Sequence, residues 1–272
     1  MAEASSSAPR VVVKFGSGIL AATDGLSLDR DQIENLTEQV ATLVEAGTRC
    51  VLVSSGAVAA GLMELGLAER PSQLAEVQAL AAIGQSRLME VYASCFERRG
   101  LRVAQLLLTH QDLDSRLRYR NAKNTLDELL RHEGVVPIVN ENDSVAVEEL
   151  KFGDNDELSA EVARLCGAQR LVLLSTVDGL AENEDGSGRV LSEVDDVAEV
   201  SHLAGESVGR LSTGGMRSKL MAVKTAVDAG IETVIANGRV ENVVLRALER
   251  RAGDRGPGSL FLPPSQATVT SS

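Results

Sequence analysis

The sequence predicts an α/β fold, with a mostly parallel central sheet and helices on both of its faces. Short apolar segments of strand length alternate with longer segments in which apolar residues recur every three or four positions, as in an amphipathic helix. The strand-length segments are apolar throughout, which is typical of strands that are buried on both faces. Helices between successive strands supply the connections that parallel neighbours need.

The elements follow from local patterns along the chain. In the first helix, apolar residues at 33, 36, 40 and 43 fall on one face, and Gly47 ends the segment. A small-residue helix follows Ser54-Ser55-Gly56, and Gly134 ends a later helix. The predicted strands are 11–14, 50–53, 103–108, 135–139, 170–174, 233–236 and 259–262, and the other predicted helices are 74–99, 118–132, 158–167, 219–230 and 241–251. No linker or repeat divides the chain, so we expect one domain over 10–262 with a disordered head at 1–9 and a disordered tail at 263–272.

Composition excludes several classes of function. The 272 residues are 44% hydrophobic but only 2% aromatic, which predicts an aliphatic core. The formal net charge of −12 argues against a nucleic-acid partner and against an anionic membrane surface, because both are bound through basic residues. The 3 cysteines and 3 histidines are isolated from one another, so neither a disulfide framework nor a metal site is expected. No apolar run is long enough to span a membrane, and the first nine residues lack a signal core, so we expect a cytoplasmic protein.

The segment 151–160 has the most informative local pattern. Asp154, Asn155 and Asp156 stand together after Gly153, just before a predicted helix. A single polar residue at a helix start is ordinarily a cap, which accepts a free backbone N–H. Three together, after a glycine that lets the backbone approach a ligand, favour a binding site.

Two further segments are typical of phosphate binding. Lys14 ends a strand before Gly16-Ser17-Gly18, where glycine amides can hold a phosphate and the lysine can reach it. The segment 213–219 is glycine-rich, then basic, then helical, and ends at Lys219. Each pattern alone also fits an ordinary turn or flexible loop, and the P-loop pattern GxxxxGK[ST] is absent.

Ser54-Ser55-Gly56 and the segment 140–143 complete the set. The first also fits a helix cap and the second a polar turn, but both follow predicted strands. Ligands of open parallel sheets bind outside the carboxyl ends of the strands, so these clusters can share one edge. Lysines, loop amides and carboxylates together suit phosphoryl transfer to a carboxylate, which is ionised at neutral pH and needs no general base.

These motifs, in this order, resemble those of the glutamate 5-kinases, a branch of the amino-acid kinase family with a three-layer sandwich fold. The resemblance runs from about residue 11 to about residue 262. The segments that carry it are Val-Val-Lys-Phe-Gly-Ser, Ser-Ser-Gly-Ala-Val-Ala-Ala-Gly, Asn-Glu-Asn-Asp, Phe-Gly-Asp-Asn-Asp-Glu-Leu-Ser-Ala and Thr-Gly-Gly-Met-Arg-Ser-Lys.

The resemblance implies ATP-dependent phosphorylation of the L-glutamate γ-carboxylate, the first step of proline biosynthesis, with Mg²⁺ on the nucleotide. It implies that Lys14 and Lys219 contact the phosphates and stabilise the transition state, and that Asp156 orients both lysines. The implied glutamate-binding residues are Ser55, Asp143, Asp154 and Asn155. The implied nucleotide-binding residues are Lys14, Ser175, Thr176, Thr213, Gly214, Gly215, Met216, Arg217, Ser218 and Lys219.

The resemblance also implies feedback inhibition by L-proline, delivery of the product to glutamyl-phosphate reductase, and a homo-oligomer. Two features depart from the family pattern. The family commonly has Thr-Asp where this chain has Ser175-Thr176, which bears on one nucleotide contact. Many members carry a C-terminal PUA domain, for which we expect no room before residue 272.

Two other functions remain open at this point. One is a sibling kinase that phosphorylates acetylglutamate, aspartate, carbamate or a nucleoside monophosphate, against which the Gly-Asp-Asn-Asp segment argues. The other is a catalytically silent regulator that binds a nucleotide or an amino acid. Retention of Lys14, Asp156 and Lys219 argues against such a regulator, while Thr176 is the one feature in its favour.

Overall fold

The structure is a computed structural model that describes residues 8–23, 25–146, 155–204 and 215–264. Most of the predicted head and tail lies outside these ranges. So do Asp154, Thr213 and Gly214 among the predicted site residues.

Within these ranges the strands form one sheet of eight, in the order β3-β4-β2-β1-β5-β7-β8-β6. Neighbouring strands are parallel except for β7 and β8. The strands are β1 (Arg10–Phe15), β2 (Arg49–Ser54), β3 (Arg102–Leu108), β4 (Val135–Glu141), β5 (Arg170–Ser175), β6 (Glu193–Val194), β7 (Glu232–Asn237) and β8 (Ser259–Phe261).

Helices cover both faces of the sheet. They are α1 (Ser17–Leu20), α2 (Arg30–Glu45), α3 (Ala57–Leu65), α4 (Leu74–Glu97), α5 (His110–Asp114), α6 (Arg116–Leu129), α7 (Asp156–Cys166), α8 (Val197–Val200), α9 (Met216–Asp228) and α10 (Val243–Glu249), with a 3₁₀ helix at Ser201–Ala204. In the described chain no helix combines the length and apolar character that crossing a bilayer requires.

Successive residues of the strands point into two separate hydrophobic cores. In β1, Val12 packs with α6, α7 and α9 on one face, while Val11 and Val13 pack with α2, α4 and α10 on the other. This alternation follows from the two-residue repeat of a strand, and it explains why apolar residues predominate in the strands. The predicted α/β fold with a three-layer arrangement is confirmed.

The order of the strands places a crevice at the end of β1. The chain passes from β1 to β2 on one side, and β5 pairs with β1 on the other. A parallel sheet opens at such a point, where helices leave from opposite faces, and ligands bind there at the carboxyl ends of the strands. Lys14 and the turn that begins at Gly16 stand at this position.

Helices α3 and α4 approach each other closely because glycines face each other's backbones. A Cβ atom on Gly84 would lie 1.8 Å from the carbonyl oxygen of Ala57, and one on Gly61 would lie 2.1 Å from that of Leu80. No side chain fits at either position. The contact brings the middle of α4 against the start of α3, directly behind the Ser54–Gly56 turn.

Several predicted helix boundaries differ from those in the structure, and some short elements were not predicted. Helix α9 begins at Met216 rather than Lys219, and α7 begins at Asp156 rather than 158. The short α5 and the two-residue β6 were not predicted, because neither is long enough to show a periodic pattern. Strand β8 was predicted, but its antiparallel direction follows from pairing that local sequence does not encode.

Candidate active site

Two buried lysines share one buried carboxylate at the carboxyl edge of the sheet. Nζ of Lys14 lies 2.7 Å from Oδ1 of Asp156, and Nζ of Lys219 lies 3.2 Å from Oδ2. The side chains of Lys14, Asp156 and Lys219 are 1%, 0% and 5% exposed. Charges this far from water persist only when they are paired, so Asp156 fixes the positions of both ammonium groups.

Three separate elements bring this cluster together. Lys14 is carried by β1, the central strand, whereas Asp156 lies in the first turn of α7 and Lys219 in the first turn of α9. Helices α7 and α9 pack side by side through one hydrophobic core, which sets their first turns next to each other. The sequence therefore identified the three residues, but only the packing of α7 against α9 joins them.

The side chains of Asn155 and Asp156 do not cap α7. The N-cap position is Asn155, whose side chain makes no capping hydrogen bond, and Asp156 is directed at the lysines. Ser218 adds a third donor, since its Oγ donates to Oδ2 of Asp156 at 3.3 Å. Sequence analysis predicted Ser218 as a nucleotide contact and did not predict this one.

Asn155 connects the carboxylate cluster to the end of β2. Its backbone is in the left-handed region, with φ 60° and ψ 7°, and its side chain is buried. Its Nδ2 donates to the carbonyl oxygen of Ser54 at 2.6 Å and to Oδ1 of Asn140 at 2.7 Å, and it lies 3.4 Å from Oγ of Ser55. The predicted residues Ser55 and Asn155 are thus neighbours.

A buried tyrosine, Tyr92, is hydrogen-bonded to the turn at Ser54 and Ser55. Oγ of Ser54 donates to the carbonyl oxygen of Ser55 at 2.9 Å and lies 2.7 Å from the hydroxyl of Tyr92. Because a serine hydroxyl has one hydrogen, the Tyr92 hydroxyl is the donor in this pair. Burial raises the pKa of Tyr92 well above its usual range, which keeps the hydroxyl protonated for that role.

Sequence reasoning named Asn140 only as part of the segment 140–143, and it missed Gln85 and Tyr92. Asn140 Nδ2 donates to Oε1 of Gln85 at 2.7 Å, and both side chains are buried. The signal for that segment was its position after a predicted apolar strand. Gln85 lies in the middle of α4, and nothing in its local sequence points to the site.

Asp143 lies in the turn that follows β4 and is partly buried. It shares that turn with Asn142 and follows Asn140, which hydrogen-bonds Asn155. Next to the turn, a cavity of about 220 Å³ opens between the start of α5 and residues 141–146. This side of the sheet edge is therefore concave, and most of the residues that line it are polar.

Two of the predicted nucleotide residues, Ser175 and Thr176, lie on the other side of β1. Ser175 ends β5, and Thr176 follows it close to Gly18, where a Cβ atom on the glycine would lie 3.0 Å from Cγ2 of Thr176. Gly16 approaches β5 so closely that its amide donates to the carbonyl oxygen of Leu174 at 3.1 Å. This brings the turn after Lys14 beside Ser175.

The described part of the glycine-rich loop leads into α9. Gly215 is the N-cap, and no side chain of the described residues caps the helix. The backbone amides in the first turn of a helix are a favourable site for an anion. Asp154, Thr213 and Gly214 lie outside the described residues, and their roles stay predictions.

Comparison with known proteins agrees with this arrangement. Residues 9–237 match the Amino acid kinase family. A glutamate 5-kinase of Geobacter sp. (strain M21) is 45% identical over 262 residues, which cover 95% of this chain and 69% of that protein. A glutamate 5-kinase of Thermus thermophilus is 49% identical over 245 residues, covering 89% of this chain and 65% of that protein. One of Pseudomonas syringae pv. tomato is 46% identical over 261 residues, covering 94% and 68%.

Proposed function

The chain belongs to the amino acid kinase family, and we propose that it phosphorylates the γ-carboxylate of L-glutamate with ATP. The product is L-glutamyl 5-phosphate, and the reaction is the first step of proline biosynthesis. The buried cluster of Lys14, Asp156 and Lys219 is the observation that carries this proposal. It lies where a parallel sheet binds its ligands and supplies what phosphoryl transfer needs, which is fixed positive charge.

The chemistry requires positioning more than proton transfer. An oxygen of the γ-carboxylate forms a bond to the terminal phosphorus of ATP as the bond between that phosphorus and the bridging oxygen breaks, and ADP leaves. Lys14 and Lys219 neutralise the charge on the transferring group. Asp156 holds both ammonium groups in place before substrate arrives, so no reorganisation is needed during the reaction. No histidine base is required, because the acceptor is already ionised.

In this proposal ATP and glutamate bind on opposite sides of β1. The nucleotide phosphates lie at the start of α9 and at the turn after Lys14, near Ser175 and Thr176. Glutamate lies on the side of Ser55, Asn155 and Asp143, where amide and carboxylate groups can bind its amino and carboxylate groups. The two substrates then meet at the lysines.

Mg²⁺ accompanies the nucleotide in this proposal. Among the described residues no group of three or more histidine, cysteine or acidic side chains could hold a metal ion. Mg²⁺ commonly takes phosphate oxygens and water as most of its ligands, so it can be carried to the site by ATP. We therefore assign it no protein cage.

The direct test is release of ADP, measured by a coupled assay with purified protein, ATP, Mg²⁺ and L-glutamate. Aspartate, N-acetylglutamate, carbamate and nucleoside monophosphates serve as competing acceptors. We expect turnover with glutamate and little with the others. Preference for another acceptor would favour the sibling-kinase hypothesis, and binding without turnover would favour a silent regulator.

Asp143→Ala is expected to impair use of glutamate rather than of ATP. Asp143 stands on the acceptor side, where a carboxylate can bind the α-ammonium group. Losing one hydrogen bond to a charged group should raise the glutamate KM at least about tenfold. Steady-state kinetics with each substrate varied in turn would check this, and a change confined to the ATP KM would contradict the assignment.

L-proline is expected to inhibit by competing with glutamate. Proline shares the α-carboxylate and a cationic nitrogen with glutamate, so the same polar groups near Ser55, Asp143 and Asn155 can hold it. Initial rates at several proline and glutamate concentrations would show the competition. Inhibition that glutamate does not relieve would place proline elsewhere.

The remaining associations belong to the same proposal. An acyl phosphate hydrolyses readily, so delivery to a glutamyl-phosphate reductase would protect the product. We also propose a cytoplasmic location, because the free nucleotide and amino acid that the protein uses are cytoplasmic metabolites. We further propose a homo-oligomer, as the resemblance to the glutamate 5-kinases implies. Analytical ultracentrifugation of the purified chain measures the oligomeric state directly.

A further inference from the structure

The orientation of two buried amides is fixed by backbone groups. The carbonyl oxygen of Ser54 can only accept, so the atom of Asn155 that contacts it at 2.6 Å is the Nδ2 donor. The backbone N–H of Glu141 can only donate, so the atom of Asn140 that accepts from it at 2.9 Å is Oδ1. The 2.7 Å bond from Asn155 Nδ2 to Asn140 Oδ1 agrees with both assignments.

The same reasoning extends to Gln85. With its oxygen turned toward Asn155, Asn140 presents Nδ2 to Gln85, which must then offer Oε1 at 2.7 Å. Gln85 is 8% exposed, and its Nε2 has no hydrogen-bond partner among the described residues. Gln85 therefore contributes to this chain of amides as an acceptor only.

The chain of amides determines what Asn155 offers to a ligand. Since Nδ2 is used by Ser54 and Asn140, the free group of Asn155 is Oδ1, which accepts no bond from a described residue. Asn155 is 6% exposed, and its Oδ1 is not among the enclosed side-chain atoms that lack a partner. An acceptor at this position binds an N–H donor and repels a carboxylate.

We infer that Gln85 is a positioning residue for the acceptor substrate: through Asn140 it holds Asn155 so that Oδ1 receives the α-ammonium group. This inference rests on the proposed function. Gln85 touches no substrate itself. Through Asn155, Gln85 makes the site favour an amino dicarboxylic acid over the same dicarboxylic acid without its amino group.

The test compares glutamate with glutarate, which lacks only the α-amino group. In Gln85→Met the side chain keeps its length, but the sulfur is a weak acceptor and no longer holds Asn140. We expect the glutamate KM to rise about tenfold, the lower range for one hydrogen bond to a charged group. The inhibition constant of glutarate against glutamate should stay within about twofold of wild type, as should the ATP KM, if only the ammonium contact is lost.

Matched variants separate positioning from general damage. Gln78→Met removes another glutamine of α4, whose Nε2 donates to the carbonyl oxygen of Ala146 at 3.0 Å, just after β4. This variant should leave the ratio of the glutamate KM to the glutarate inhibition constant unchanged. Gln85→Glu keeps an oxygen for Asn140 and exchanges the unpartnered Nε2 for a second carboxyl oxygen, so it should restore most of the discrimination.

Several results would overturn the inference. They are equal weakening of glutamate and glutarate in Gln85→Met, no weakening of either, or a Gln85→Glu variant as impaired as Gln85→Met. If Gln85→Met does not fold, Gln85→Asn withdraws the oxygen by one methylene and carries the same comparison. Wild-type turnover of glutamate in the same assay shows separately whether the proposed function holds.

Discussion

Asp156→Asn is expected to lower turnover about 100-fold or more while the protein remains folded at the assay temperature. The carboxylate holds Nζ of Lys14 at 2.7 Å and Nζ of Lys219 at 3.2 Å, one on each oxygen. An amide of nearly the same shape has one acceptor oxygen and a donor group that faces an ammonium. At least one lysine then leaves its position, and small displacements of positioning groups cost about this factor.

Glu157→Gln is the matched control for that variant. Glu157 is the next residue in the first turn of α7 and is partly exposed, so it undergoes the same chemical change outside the cluster. Its turnover should stay near wild type. Because removal of a buried partner also destabilises, the melting temperature of Asp156→Asn should fall, and turnover is compared well below it. Near wild-type turnover of Asp156→Asn would show that the carboxylate does not position the lysines for catalysis.

Lys219→Ala is expected to raise the activation barrier by roughly 2–4 kcal/mol, as removal of one transition-state donor does. This corresponds to about 30- to 1,000-fold in turnover. The fold should survive, because Asp156 keeps Lys14 as a partner and the change lies at the first turn of α9. Single-turnover measurement of phosphoryl transfer would report the chemical step without product release.

Lys224→Ala provides the control on the same helix. Lys224 is exposed and pairs with Asp228 at 2.8 Å, so its loss removes a lysine from α9 without touching the cluster. Surface pairs of this kind contribute little, and both turnover and melting temperature should change only slightly. Equal effects of the two substitutions would mean that Lys219 acts on α9 stability instead of on the phosphates.

The sequence predicted the sheet and drew attention to Lys14 for the same reason. Strands buried on both faces are continuous apolar runs, and polar residues that end such runs stand out, as Lys14 and Ser55 do. The contacts of Asp156 were not derivable from spacing, because they depend on how α7 packs against α9. A helix start rich in Asp and Asn also fits a cap, and only the directions of the side chains exclude that role.

The supporting residues were out of reach of local patterns. Tyr92 and Gln85 lie on α4, where a buried tyrosine or glutamine looks like any other inward-facing residue of a helix. Their link to the site depends on the close contact of α3 with α4, which a pair of glycines permits. Ser218 was predicted as a nucleotide contact. Its hydrogen bond to Asp156 depends on its position in the first turn of α9, which begins at Met216.

The left-handed backbone at Asn155 restricts which amino acids can occupy that position. At φ 60° the residue types that are readily accommodated are glycine, asparagine and aspartate. The carbonyl oxygen of Ser54 and Oδ1 of Asn140 both require a donor, which glycine lacks and ionised aspartate cannot supply. Backbone shape and hydrogen-bond polarity together therefore favour asparagine over both glycine and aspartate at this position.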